Sequence, residues 1–392
     1  MFKPITVLVL LSVLVLSGHY SAKAEILAMM NYETKSPETL KALKIGNAQQ
    51  REEGIAIVDV DPKSDGFGKI ISNIPFPPDL IAHHIFYDRT MRKAYITALG
   101  KTELRVMDLT RFPYRIKVID IPSCKVGEDV IISEDNKTWY LTCMGSDTVV
   151  VGDVASDKIT AEIKTPKPYP HGLAVNTGID RILVTNTIRP DLKEPGEFVT
   201  VIEASTNKVL ESIKVSNKAS PSGVAPVEIL FVPNSNPPVA YVTNMFGHTL
   251  WGLKWNPKSK KFDGSSIYDF SKIKEGVPLE IYFNSKGDRL YVTTAKPGAF
   301  HIFDVSTNPM KPRLLKSIKT GEGAHHVAIT KDESLAFVQN ALLNLPGMSD
   351  GSVTVIDLKT EKAIASMDSL KNQGLNPNSI VLLPEWNSLA GH

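Results

Sequence analysis

Two His-His pairs stand in closely similar surroundings, His83 and His84 in "IAHHIFYDRTMRKAYITA" and His325 and His326 in "GAHHVAITKDESLAFVQN". Imidazole is the commonest side-chain ligand of transition metals and the group that titrates nearest neutral pH. A repeated pair therefore raises metal ligation or proton transfer, provided the two copies meet in space. Whether they meet depends on the elements that carry them.

Those elements repeat. The segments beginning at Ala82, Gly127, Pro170, Ala225, Val277 and Ala324 share one plan: an apolar strand, a turn rich in Asp, Asn, Gly or Lys, and a second strand ending in a run like "YVT". A third strand with an acidic turn follows, as in "TELRVMDLT" and "GSVTVIDLKT", and then a fourth, as in "KITAEIKT". Four short strands recurring every 43 to 56 residues are the signature of propeller blades. At the C-terminal end "LNPNSIVLLPE" is a first strand without partners, and "EILAMMNYE", "GIAIVDVDP" and "GKIISNIPF" are second, third and fourth strands without a first. Joined, they complete one more blade and leave no open sheet edge. The fold class is all-β: a seven-bladed propeller of four antiparallel strands per blade, its ring closed by N- and C-terminal strands, in one domain over residues 25–392.

The wording of the repeats, above all "AYVTNMFGHTLWGL" from Ala240 and "RLYVTTAKPGAFHIFDV" from Arg289, resembles the YVTN-repeat propellers over nearly the whole of that domain. In that family the first strand is usually preceded by Pro, a variable residue and Gly, kept here as Pro170, His171 and Gly172. Registering the blades on one another places His84, Asp129, Glu228, Glu280 and His326 at or beside the Gly position, and His83, Glu128, His171, Val227, Leu279, His325 and Asn378 at the variable one. First strands are innermost in a propeller, so their starts ring the central channel. Candidate metal ligands are His84, His171 and His326 with Glu228 and Glu280, and beside them His83, His325, Glu128 and Asp129. Imidazole suits copper, zinc or iron, and added carboxylates suit iron, manganese or zinc. Side chains alternate along a strand, so at most one member of each His pair is expected to face the axis. His248 in "MFGHT" joins the same face, whereas Trp251 and Trp255 are expected to pack between blades. Other readings of the ring are a polar mouth where a partner docks and a plain hydrated channel lining.

Two loops on that face are long. Residues 186–197, "NTIRPDLKEPGE", are charged, and residues 340–351, "NALLNLPGMSDG", are apolar. Apolar residues on an exposed loop would mark a partner surface; the alternative is a loop folded back on the propeller.

The remaining features bound the setting. Residues 1–24 read as a secretory leader, with Lys3, the apolar "ITVLVLLSVLVLSG" and an Ala22-Lys23-Ala24 cleavage site, and no apolar run is long enough for a membrane anchor. Loss of the leader removes two lysines and no acid, leaving 42 basic against 42 acidic residues, a balance that speaks against nucleic acid as partner. Cys124 and Cys143 flank antiparallel strands of one blade and are a disulfide candidate in an oxidising compartment. No C-x-x-C-H is present, so no cofactor is expected to be covalently bound and haem would come only through partner subunits. Without a G-x-S-x-G elbow, phosphate loop, H-E-x-x-H or dinucleotide fingerprint, catalytic residues are unassigned.

The last two blades, "FVQNALLNLPGMSDGSVTVIDLKTEKAIASMDSL" and "LNPNSIVLLPEWNSLAGH", resemble hydrazine synthase β subunits. That resemblance implies a subunit of an extracytoplasmic multisubunit redox complex, docked on c-type cytochrome-like chains, in the periplasm or the anammoxosome. The rival expectation is a free-standing metal-dependent oxidoreductase with its site at the channel. A plain binding module is the third.

Overall fold

The computed structural model describes residues 25–35 and 51–388; the expected leader lies outside them. Strands β1 (Leu27–Thr34), β2 (Glu53–Asp59) and β3 (Ile70–Pro75) pair with β28 (Leu375–Leu382) in the order β28-β1-β2-β3. Six further four-stranded sheets follow in sequence order: β4–β7 (82–120), β8–β11 (127–164), β12–β15 (170–214), β16–β19 (226–269), β20–β23 (278–319) and β24–β27 (324–367). Every pairing within the blades is antiparallel. This is the seven-bladed propeller expected from the repeats. Single 3-10 turns at Thr177–Ile179, Phe270–Ile273 and Lys371–Gln373 are the only helical pieces among the described residues.

Burial explains the strand patterns. The innermost strands, such as β4 (Ala82–Tyr87), β8 (Gly127–Ile132) and β24 (Ala324–Ile329), are buried at every position, which is why they read as unbroken runs. The outermost strands alternate, as in β3, or are largely exposed, as in β7 (Arg115–Asp120). Apolar cores lie between neighbouring blades: Trp251 and Trp255 pack with Leu183, Val199 and Val201 of the preceding blade, as expected of them. Ring closure pairs Met30 with Ile380 and Met29 with Val381.

One local device recurs at the start of each complete blade's inner strand. The residue ahead of it is left-handed: Ile81 (φ 51°), Val126 (57°), Tyr169 (64°), Ala225 (51°), Val277 (58°) and Gly323 (92°). One ladder pair follows and then a register shift that leaves two residues off the ladder, between Ala82 and Ile85, Gly127 and Val130, Pro170 and Leu173, Pro226 and Ile229, Pro278 and Ile281, and Ala324 and Val327. The N–H of the second bulged residue is satisfied by a side chain of the second strand: His84 by Thr97 Oγ1 (3.0 Å), Asp129 by Thr142 (3.0 Å), Gly172 by Thr185 (2.8 Å), Glu228 by Thr243 (3.2 Å), Glu280 by Thr293 (3.2 Å) and His326 by Gln339 Oε1 (3.1 Å). The hydroxyl then donates to the next blade, Thr142 to the His171 carbonyl and Thr185 to that of Val227, each at 2.6 Å. The threonine of "YVT" thus holds both the bulge and the seam between blades.

Cys124 and Cys143 are disulfide-bonded, with Cα atoms 5.0 Å apart, inside the core shared by the first two complete blades.

Two predictions follow from these ties. Thr185→Val keeps shape but orphans the Gly172 N–H and the Val227 carbonyl, and since each buried orphan costs about 1–3 kcal/mol, urea unfolding should show a loss of about 2–6 kcal/mol. Replacing both Cys124 and Cys143 by Ser should lower stability by about 3 kcal/mol for a loop of this length; an unchanged urea midpoint would mean the bond constrains little.

Candidate functional site

The bulge decides which side chains enter the channel. Two consecutive residues off the ladder do not alternate, so His83 and His84 both turn inward, as do His325 and His326. Their ring centroids lie 3.9 and 4.1 Å apart, the first pair stacked and the second tilted by 44°. The expectation that one member of each pair would face the axis is therefore corrected: strand alternation holds only where the ladder is regular. The two pairs meet across the closing blade, with the rings of His84 and His326 at 4.4 Å. His171 lies further off, 6.3 Å from His84.

Each pair is backed by carboxylates. His84 Nδ1 lies 2.7 Å from Asp129 Oδ1, and His83 Nε2 lies 3.2 Å from Glu128 Oε2. His325 Nε2 is 3.2 Å from Glu280 Oε1 and His326 Nδ1 is 3.8 Å from Glu280 Oε2. His171 faces both Glu128 (3.6 Å) and Asp129 (3.7 Å). The Tyr282 hydroxyl accepts from the Val327 N–H at 3.0 Å and sits 3.3 Å from His326 Nδ1. All nine expected residues are buried. Gly172 leaves room for this crowding, because a Cβ there would lie 2.5 Å from the Val227 carbonyl and 3.2 Å from Glu228 Oε1.

Two overlapping groups have ligand atoms that all lie within 4.8 Å of one another: His84 with His325 and His326, and His83 with His84 and Glu128. Neither contains His171, Glu228 or Glu280. His171 leans on Glu128 and Asp129, and Glu228 lies in the field of Asp129 and accepts from the Ile229 N–H at 2.7 Å. His248 stands outside, accepting from the Val277 N–H at 3.3 Å.

Burial dominates the electrostatics. It pushes His83 down to about 3, with His325 adding repulsion, and holds His326 well below the usual imidazole range. Glu128 is pushed up to about 7. Glu228 goes well above the carboxylate range, by desolvation and then by the negative charges of Asp129 and Glu280. Neutral imidazole is the form that binds metals. His83 Nδ1, His325 Nδ1 and His326 Nε2 are buried polar atoms with no hydrogen-bond partner, a costly condition in a protein interior. A nitrogen on a carboxylate and the other left for the cluster is the arrangement of metal-bound histidine.

One end of the channel is covered on one side. In the 340–351 loop Leu342 is buried, and with Leu345 and Met348 it packs on Val227 and Leu279, the bulged residues of two blades, and on Ala225, Met245 and Ala295. Asn344 donates to Glu33 Oε1 at 2.9 Å. The loop is therefore not the exposed apolar surface that its composition suggested; its side chains find cover over the apolar part of the ring. Glu33 is ion-paired with Arg51, and Arg51 with Glu53, whose carboxylate accepts from the Ile81 and Ala82 N–H groups at 3.1 and 2.9 Å, one residue ahead of His83.

Sequence reasoning missed Tyr282, the bridging threonines and the Glu33–Arg51–Glu53 network. The threonines had a signal, the recurring "YVT". Tyr282 had a weaker one, its place two residues after Glu280 on the same strand face. The network had none.

No family model matches this chain, and no curated protein sequence matches it. Solved structures do. A hypothetical selenium-binding protein from Sulfolobus tokodaii aligns over 94% of this chain and 96% of its own, at 14% identity and TM-score 0.74. A functionally unknown protein from Desulfotomaculum acetoxidans aligns over 92% and 99%, at 15% identity and TM-score 0.64. Kuenenia stuttgartiensis hydrazine synthase aligns over 78% and 91%, at 14% identity and TM-score 0.57. At such identities the likeness is one of fold: these proteins share the propeller. Among the described residues no helix is long and apolar enough to cross a membrane.

Glu128 sets a pH dependence in metal-free protein. Its carboxyl ionises near 4.5 ordinarily and at about 7 in the fold, so between these values the folded chain keeps a proton that the unfolded chain has lost. The stabilisation is full below 4.5 and gone once pH has risen through about 7. Urea unfolding across that window should show wild type losing stability relative to Glu128→Gln, with parallel behaviour above it. A constant difference would show ordinary ionisation.

Proposed function

We propose that the protein is an exported, metal-dependent oxidoreductase whose channel holds one copper or iron ion between His84, His325 and His326. The observation that carries this reading is the convergence of those three imidazoles, from two separate blades, with ligand atoms within 4.8 Å. Three nitrogen donors favour copper, iron or zinc over calcium and magnesium. The protonated state to which burial drives Glu128 and Glu228 further disfavours hard cations. A bound copper or iron ion would supply one-electron chemistry.

The chain's own residues have distinct parts. His84 is oriented by Asp129 and His325 by Glu280, while His326 is held between Glu280 and Tyr282. His83 and Glu128 adjoin the centre as a pair able to exchange a proton, their nitrogen and oxygen 3.2 Å apart. Glu228 and Glu280 act on neighbouring side chains rather than on the ion, and His171 steadies Glu128 and Asp129. The Cys124–Cys143 disulfide fits an oxidising compartment, as does the expected leader, so the protein works outside the cytoplasm, in the periplasm or an equivalent space.

A second reading keeps the propeller as a subunit of a redox complex whose haems lie on cytochrome-like partners. The specific support is the alignment over 91% of the hydrazine synthase chain. The inward-folded 340–351 loop removes the apolar surface that had favoured it, so the metal centre takes precedence.

Metal analysis of the mature protein purified from its own host separates the two. The metal reading expects about one copper or iron per chain, lost in a His84→Ala, His326→Ala variant that keeps its fold by circular dichroism. Fixed-ratio co-purification with c-type cytochromes and no metal on this chain would favour the subunit.

A further inference from the structure

We propose that the channel mouth opposite the 340–351 loop is a binding vestibule for an uncharged organic molecule of about one ring's size, leading past Tyr282 to the histidine cluster. The vestibule stands on its own cavity; its connection to the cluster rests on the metal reading above.

The cavity has a volume of about 430 Å³, within the range of about 300–1,000 Å³ usual for small-molecule sites. It lies where the inner strands β8, β12 (Pro170–Asn176), β16 (Pro226–Phe231) and β20 (Pro278–Phe283) end. Ile131, Val175, Leu230, Phe231, Tyr282 and Phe283 give it an apolar, partly aromatic wall. Its ionic rim is balanced. Arg89 donates to the Ile132 carbonyl at 2.6 Å and lies in the field of Glu134, and Glu134 accepts from the Thr177 N–H at 2.8 Å. Opposite charges already engaged with protein groups attract neither an anion nor a cation, so the ligand is neutral. The polar rim, which includes Asn176, Asn234 and Asn284, suits a hydroxyl, carbonyl or amide on that ligand.

Tyr282 also lines a second cavity, of about 20 Å³, together with His326, Phe86, Ile85 and Ser379. That is room for about one water molecule. A ring cannot pass; a terminal group of one or two heavy atoms, or a molecule as small as water, can. The opposite mouth is covered at its apolar side by Leu342, Leu345 and Met348, and the vestibule is the approach proposed here. The molecule thus docks its body beneath Tyr282 and presents one small end to His326.

The test is a ¹⁹F NMR titration of the mature, metal-free protein with 4-fluorophenol, and with 4-fluorobenzoate and 4-fluorobenzylammonium as charged counterparts. The phenol should bind saturably and each charged probe at least about tenfold more weakly. Leu230→Trp, which fills the wall, should weaken phenol binding by about tenfold or more. Ser285→Trp, at an exposed rim position where the fold is not at stake, should weaken it as well. No saturation, equal binding of a charged probe, or indifference to both tryptophans overturns the vestibule. Copper(II) is then added: bound probe should show paramagnetic relaxation of its ¹⁹F signal, absent in the His84→Ala, His326→Ala variant. Copper held without that relaxation overturns the connection. Saturable phenol binding in a chain that takes up neither copper(II) nor iron(II) supports the vestibule and overturns the metal reading.

Discussion

The two-residue bulge at the head of each inner strand is the constraint on which the rest depends. A regular strand would show every second side chain to the channel, and a His-His pair there would be split between channel and blade interior. The left-handed residue, the lone ladder pair and the register shift turn both side chains the same way. The cost is an inner N–H without a ladder partner, and the threonine or glutamine of the second strand meets it. Because that N–H is met from the second strand, the bulged side chains are not needed to cap it. They vary freely from blade to blade: His-His, Glu-Asp, His-Gly, Val-Glu, Leu-Glu, His-His.

What fills those positions is arranged by charge. Histidines and carboxylates in a buried ring would repel or desolvate one another if placed at random, since isolated buried charge is costly. Here they interleave. Asp129 takes His84, Glu128 takes His83, and Glu280 serves both His325 and His326. Burial meanwhile depresses His83 and His326 and raises Glu128 and Glu228, so these members approach neutrality. A hydrated channel lining would not need this pairing, because water would supply the hydrogen bonds.

The fold was legible in the sequence because a propeller writes its plan several times. Strand order, closure by β1 and β28, and the ring position of five histidines could all be had by aligning "AHHIF", "GEDVI" and "AHHVA". Facing was not legible, since a bulge leaves no mark on composition; its only trace is the threonine that caps it, which reads as ordinary β-strand content. Nor could the fate of "NALLNLPGMSDG" be read. Apolar residues on a long loop look alike whether they await a partner or turn inward, and only the packing of Leu342 on Val227 and Leu279 decides. Roles within the ring were beyond alignment too, because equivalent positions are not equivalent environments: His171 and His325 register together, yet of the two only His325 joins a ligand group.

That inequality extends to the whole ring. The cluster gathers on the side of the two His-His blades and the closing blade, while the blades that contribute Val227 and Leu279 carry the apolar cover. The 340–351 loop ties the two sides together, packing on one and reaching Glu33 on the other through Asn344. Glu33, Arg51 and Glu53 then run to the N–H groups of Ile81 and Ala82, at the head of the strand that bears His83 and His84. Buried ion pairs are poor sources of stability, because desolvation cancels most of their attraction. What this one fixes is position. Gly323, whose missing Cβ would lie 2.1 Å from the Met348 carbonyl, sets the loop against the head of the second His-His strand. Both His-His strands are therefore held at their first residues by contacts of one loop and its network. The same loop that packs on Val227 and Leu279 thus reaches the heads of both strands that carry the histidine pairs.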